Sequence, residues 1–115
     1  MKIEEYLKSL PENIVSGEDV QLPDKSFREI FNFSNLGKND IFYHLGCGDG
    51  KGIRIALKEY NVKKAIGIDN NPDKIKQAKD ILNKDNFSGE LICEDIQNVD
   101  ISDATVILFW FTDEE

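Results

Sequence analysis

The sequence predicts an α/β fold built on an open parallel sheet, and two observations carry that prediction. From residue 41 onward, short apolar runs of strand type alternate with segments whose apolar residues recur at helical spacing. Directly after the first such run comes "YHLGCGDGKG" (43–52), where Gly46, Gly48, Gly50 and Gly52 alternate with other residues. Strand–helix–strand order with short links leads to parallel strands, right-handed crossovers and helices covering the sheet on its faces.

The elements follow in order. Ile3, Tyr6, Leu7 and Leu10 mark a short N-terminal helix stopped by Pro11, and "ENIVSGEDVQLP" (12–23) reads as a connector. Asp24 stands where a helix cap belongs, ahead of the apolar stripe Phe27, Ile30 and Phe31, and "NLGKND" (35–40) closes that helix. "IFYHL" (41–45) is the first predicted strand, followed by the glycines and a helix marked by Ile53, Ala56, Leu57 and Tyr60. "KAIGID" (64–69) is the second strand. "NPDKIKQAKDIL" (71–82) is the next helix, with Pro72 in its first turn and Ile75, Ala78, Ile81 and Leu82 facing inward. "GELICED" (89–95) and "DATVILFWFT" (103–112) are the third and fourth strands. The chain therefore reads as one domain, with residues 1–37 as an N-terminal helical extension and 38–115 as the core.

The fourth strand raises its own question. Val106 to Phe111 are apolar on both alternating faces, the pattern of a strand inside a sheet, yet the sequence stops at Glu115. An uncovered apolar edge is an aggregation hazard. The expectation is an incomplete sheet, covered either by a further segment of a longer protein or by a second copy in a homodimer.

Composition narrows the partners. Among 115 residues, 40% are hydrophobic and 31% charged, as in a globular protein, and the formal net charge is −8. That charge argues against nonspecific contact with nucleic acid or an anionic membrane and suits a cationic ligand or a lysine-rich protein. No apolar run approaches the roughly 20 residues of a membrane span, and the first residues lack the apolar centre of a signal peptide. Cys47 and Cys93 make neither a disulfide framework nor a metal cluster, so a reduced, cytoplasmic, metal-free protein is expected.

The glycine loop selects the ligand class. A bare turn between a parallel strand and a helix lets a ligand approach the backbone and presents amides at a positive helix N-terminus. Dinucleotide sites call for G-x-G-x-x-G; here the third glycine of that pattern would fall on Lys51. No G-x-x-x-x-G-K-[ST] phosphate loop is present. Asp69, about 20 residues further on, can accept hydrogen bonds from both ribose hydroxyls. Asp95 can take the amino group of an adenine lying between Ile96 and the residues near Asn70.

"YHLGCGDGKG", "AIGIDNNPDKIKQAK" (65–79) and "ICEDIQNVDISDATVILFWFT" (92–112) resemble motifs I to IV of class I S-adenosylmethionine-dependent methyltransferases. More narrowly, residues 20–112 are similar to the small archaeal protein-lysine methyltransferases and their mitochondrial relatives. The resemblance implies a Rossmann-like fold with its four parallel strands in spatial order 3-2-1-4, S-adenosylmethionine as cofactor and a protein lysine as methyl acceptor. It places Gly46, Cys47, Gly48 and Gly50 around the methionine moiety, Asp69 on the ribose and Asp95 with Ile96 at the adenine. Pro23 would lie beside the cofactor. Two features depart from the family. His44 stands where an acidic residue usually helps to hold the cofactor's amino-acid end, and the family's sheet continues with three more strands.

Simpler roles stand beside these. Asp69 can cap the helix before Pro72, and Asp95 can be a solvated turn acid. His44 fits a partly buried filler; the alternative is that a partly protonated imidazole contacts the cofactor carboxylate or a water there. Cys47 reads as a small loop residue, Cys93 as strand core, and the lysines at 74, 76, 79 and 84 as a solvated helix face. Trp110 and Phe111 are candidates for an aromatic acceptor wall or for burial under a missing strand. The leading function is S-adenosylmethionine-dependent methylation of protein lysine. The alternative is a catalytically incomplete cofactor-binding module that needs a partner chain. A nicotinamide oxidoreductase is disfavoured by the glycine spacing.

Overall fold

The structure, a computed structural model, describes residues 22–109. The predicted helix over 3–10 and the acceptor-wall candidates Trp110 and Phe111 lie outside the described residues. Within them run α1 (Asp24–Phe33), β1 (Ile41–Leu45), α2 (Lys51–Glu59), β2 (Lys64–Asp69), α3 (Pro72–Lys84), β3 (Glu90–Cys93), a 3-10 turn (Ile96–Asn98) and β4 (Val106–Phe109). All strand pairs are parallel and their order is β3-β2-β1-β4, the expected 3-2-1-4.

Strand alternation sends Phe42 and His44 to one face of the sheet and Tyr43 and Leu45 to the other. The first face carries Phe42, Ala65 and Leu108 and is packed by Phe27 and Phe31 of α1, Ile53 and Ala56 of α2, and Ile75 and Leu82 of α3. On the second face Tyr43, Leu45, Ile66 and Ile68 are buried against Ile96, Val99 and Ile101 of the segment joining β3 to β4. All three described helices thus pack on one face, whereas helices on both faces were expected. The second face is covered by an irregular segment, because the 3-10 turn is too short to do more than anchor Ile96.

Aromatic side chains join α1 to the rest. The Phe31 ring meets Phe42 and Tyr60 edge-on, with centroids 5.1 and 5.3 Å away. The Tyr60 hydroxyl donates to Asn32 Oδ1 at 2.7 Å, and Arg28 forks onto both carboxylate oxygens of Glu59. That ion pair is open to solvent and adds little; the buried rings do most of the fastening.

Three local expectations are corrected. Pro23, with φ −62° and ψ 154°, occupies the N-cap of α1, and its carbonyl accepts from Ser26 and Phe27, while Asp24 sits in the first turn. The cap of α3 is Asn71, whose side-chain oxygen accepts from the Asp73 and Lys74 amides, so Asp69 does not fill that role. Cys93 is exposed rather than core, because it ends a short strand on the sheet edge, with its thiol 3.9 Å from the Asn70 carbonyl. Strand three is shorter than predicted, strand four begins at Val106 rather than Asp103, and Ile107 is 39% exposed, as befits a strand at the edge of the described sheet. No described helix is long and apolar enough to cross a membrane.

Replacing Asn71 by Ala removes the acceptor for two orphan amides at the start of α3. Urea denaturation should record a loss of about 1 kcal/mol, and Asn71→Ser should restore most of it.

Candidate functional site

Gly46, Gly48 and Gly50 follow β1 with φ values of 79°, 57° and 86°, all in the left-handed region. The loop they form is hung from the end of β2. The Gly46 and Cys47 amides both donate to the Ile68 carbonyl, at 2.7 and 3.0 Å, and the Gly48 amide donates to Asp69 Oδ2 at 2.9 Å. The Cys47 side chain is buried against β2, where a Cβ on Gly67 would come within 2.9 Å of its sulfur. Burial first, then the nearby Asp69 carboxylate, pushes the Cys47 thiol up to about 12, so it is an inert packing group.

Gly50 has a separate task. A Cβ there would lie 2.7 Å from Cβ of Ala78, so the bare glycine lets the start of α2 approach α3 closely. Its N–H donates back to the Cys47 carbonyl, and the Lys51 amide donates to Asp49 Oδ1. The amides of Gly46, Cys47, Gly48, Gly50 and Lys51 are therefore all spent inside the protein. A phosphate needs such amides free, so these five do not contribute to an anion cradle. What it keeps for a ligand is acceptor capacity: carbonyl oxygens and the carboxylates of Asp49 and Asp69. That chemistry suits a positively charged ligand.

Asp69 sits at the C-terminal end of β2 with Oδ1 accepting from the Asn71 amide and Oδ2 from Gly48, both at 2.9 Å. A carboxylate offers about four lone-pair positions, so each oxygen can still take a hydroxyl. Its carbonyl accepts from the Glu94 amide, which ties in the end of β3. Asn70 is exposed beside it. Asp95 is exposed at the start of the 3-10 turn, where Oδ1 accepts from the Gln97 amide, and Ile96 packs into the second-face core. The structure thus brings Gly46–Gly50, Asp69, Asn70, Asp95 and Ile96 to one end of the sheet, outside the carboxyl ends of β1, β2 and β3. This is where open α/β sheets bind ligands. The acceptor set fits S-adenosylmethionine, whose ammonium and sulfonium are cationic and whose ribose and adenine offer hydroxyl and amino donors.

His44 is a buried filler, more fully enclosed than the partly buried position expected, and the partly protonated imidazole of the alternative reading is not what the structure shows. It is buried, its ring lies edge-on to Phe27 at 5.7 Å, and neither nitrogen has a hydrogen-bond partner among the described residues. Burial lowers its pKa to about 3, so the imidazole is neutral at ordinary pH. A Cβ on Gly52 would lie 2.9 Å from Nδ1, so the fourth glycine makes room for this ring.

Residues 42–114 match the family model described as a methyltransferase domain. A solved RNA methyltransferase from Salinibacter ruber, in complex with S-adenosyl-L-homocysteine, superposes with a TM-score of 0.78. It shares 25% identity over 83% of this chain and 63% of its own. This chain belongs to the class I S-adenosylmethionine-dependent methyltransferases. Among curated relatives of this methyltransferase chain, a protein-lysine N-methyltransferase of Saccharolobus islandicus is 38% identical over 76% of the chain and 56% of its own length. A carboxy-S-adenosyl-L-methionine synthase of Histophilus somni is 30% identical over 78% of the chain and 44% of its own length. The chain spans about half the length of the curated relatives it matches.

Sequence reasoning missed several supports of the candidate site. Gly67 was legible as a lone glycine inside a strand, which often marks close approach of a neighbour. Asn71 directly before Pro72 was legible as a cap followed by a first-turn proline. The Tyr43 hydroxyl, which donates to Asp103 Oδ1 at 2.5 Å, had no signal in local spacing. That bond, then burial, pushes Tyr43 up to about 12.

Two measurements test these assignments. Gly50→Ala combines a left-handed φ with overlap on Ala78 and should cost about 2–4 kcal/mol in urea denaturation; in an Ala78→Gly background the same change should cost less. For His44, both folded and unfolded states are neutral above about pH 6.5. Below that, the unfolded chain takes up a proton that the native ring refuses, so stability falls as pH drops towards the folded value of about 3. Comparing pH 7.5 with pH 5, His44→Leu should lose about 2 kcal/mol less stability than the unaltered chain, at about 1.4 kcal/mol per pH unit.

Proposed function

We propose that this chain binds S-adenosylmethionine across the carboxyl ends of β1 to β3 and takes part in methyl transfer to a protein lysine. The observation that carries the cofactor reading is the inward turn of the loop amides, which leaves a rim of acceptors suited to a cation. In this reading Gly46, Cys47, Gly48 and Gly50 surround the methionine moiety through their backbone. Asp69 receives the ribose hydroxyls, Asn70 lies alongside, and Asp95 with Ile96 receives the adenine. His44, if it meets the amino-acid end, does so as a neutral ring. Trp110 and Phe111 remain acceptor-wall proposals outside the described residues.

Bound S-adenosylmethionine would supply a methyl group on a positively charged sulfur, open to in-line displacement by an amine. The chain's own contribution is then orientation and the exclusion of water. Lysine as acceptor is supported by the relative from Saccharolobus islandicus, which is a protein-lysine N-methyltransferase. The net charge of −8 favours a lysine-rich protein over RNA. A second reading has its own support: Ile107 is exposed on β4 at the edge of the described sheet, which favours a module completed by a further segment or a partner chain.

Thermal shift decides the cofactor. S-adenosylmethionine and S-adenosylhomocysteine should raise the Tm and NAD should not, since only a ligand of the native state stabilises it. A shift with NAD alone would sink the proposal. Asp95→Asn keeps the acceptor for Gln97 but sets an amide donor against the adenine amino group. It should weaken S-adenosylhomocysteine binding about tenfold with little change in the unliganded Tm. Transfer of labelled methyl to a lysine-rich protein then separates a competent enzyme from a module awaiting its partner.

A further inference from the structure

Residues 95–104 lead from β3 towards β4 and cover the second face of the sheet. Their polar bonds are almost all local. The Asn98, Val99 and Ala104 amides donate to the Asp95, Ile96 and Ile101 carbonyls, and the Gln97 and Ser102 amides donate to the side chains of Asp95 and Asp100. Among the described residues, a single hydrogen bond joins this segment to a strand or helix: the Tyr43 hydroxyl donates to Asp103 Oδ1 at 2.5 Å. The Tyr43 ring is buried with Leu45, Ile66 and Ile68, while Asp103 is exposed. A rigid ring in the core thus reaches out to hold a surface carboxylate.

The two ends of the segment are fixed by backbone bonds, Glu94 N–H to the Asp69 carbonyl and Thr105 N–H to the Ile41 carbonyl. Between them lie ten residues whose remaining anchors are the Asp95 amide and the Asn98 side-chain amide, which donate to Glu94 Oε1 at 3.0 and 3.4 Å, and the non-directional contacts of Ile96, Val99, Ile101 and Ala104. Apolar contact resists lifting of the segment but does not set its lateral position. A hydrogen bond to a charged group does both, being shorter, stronger and directional.

We propose that Tyr43 and Asp103 are positioning residues for the adenosine end of the cofactor, fixing the segment whose first turn presents Asp95 and Ile96. This rests on the S-adenosylmethionine reading above. With the pair intact, the turn is ordered before ligand arrives. Without it, binding must supply the ordering free energy, and affinity falls while the buried ring still packs.

Tyr43→Phe removes one oxygen and keeps the ring, and Asp103→Ala changes an exposed side chain, so both variants should fold. Calorimetric titration with S-adenosylhomocysteine should show each weakening binding about five- to tenfold, with the double variant no weaker than the worse single one. Amide exchange in 95–102 should quicken in Tyr43→Phe, remain unchanged in α1 to α3, and slow again on saturation with S-adenosylhomocysteine. A lower Tm with Kd unchanged would mean a merely structural bond and would overturn the proposal, as would additive effects of the two substitutions. Failure of the unaltered chain to bind would instead overturn the cofactor reading. The exchange measurement without ligand would then still decide whether the pair fastens the segment, unchanged exchange in 95–102 overturning that.

Discussion

Asp69 holds hydrogen bonds to three segments at once, and the site depends on that convergence. One carboxylate oxygen takes the Gly48 amide, the other takes the Asn71 amide, and the main-chain carbonyl takes the Glu94 amide. The glycine loop, the start of α3 and the exit from β3 are thereby referred to one residue at the end of β2. Because β2 lies between β1 and β3 in the sheet, its end cannot shift without breaking ladders on both sides. Hydrogen bonds to an ionised group are worth about 1.5–3 kcal/mol each, and here they also fix where neighbouring acceptors stand relative to one another. A ligand that spans from the loop to Asp95 meets a frame whose spacing is already set.

The alternating glycines divide the work of placing that frame. Gly46 and Gly48 turn the chain so that its amides point back onto β2, Gly50 lets α2 close onto α3, and Gly52 clears space for His44. Spending the amides inside the fold has an electrostatic consequence. The positive end of α2 is met by the chain's own Asp49, whose carboxylate takes the Lys51 amide. Little donor capacity is left for a phosphate, and carboxylates and carbonyls line the approach.

Much of this was legible in the sequence because periodicity reports which face of an element is covered. The 2-residue alternation of "IFYHL" and the helical stripe of "NPDKIKQAKDIL" marked strands and helices, the family resemblance added the 3-2-1-4 order, and Asp69 stood out from its place at the end of β2. What failed was information that only the assembled fold supplies. Cys93 reads as core by alternation, yet it ends a strand at the edge of the described sheet and is exposed among the described residues. Asp24 and Asp69 have cap chemistry, but the backbone gave those places to Pro23 and Asn71. The direction of loop amides and the one-sided arrangement of the helices depend on the chain's three-dimensional path, which composition does not encode.

His44 shows how one substitution redistributes charge in such a frame. An ionised carboxylate in its place would be sealed beneath Phe27 and against Phe42 with no cationic partner among the groups that contact it. Burying it unpaired would be costly enough to protonate it instead. A neutral imidazole tolerates the aromatic surroundings at the smaller cost of unpartnered ring nitrogens, about 1–3 kcal/mol. The negative potential of the site therefore comes from Asp49, Asp69 and Asp95 at the open end of the sheet rather than from beneath the loop. Moving the charge outward leaves the loop's foundation apolar, and it makes the attraction for a cationic ligand depend on groups that solvent and salt can reach.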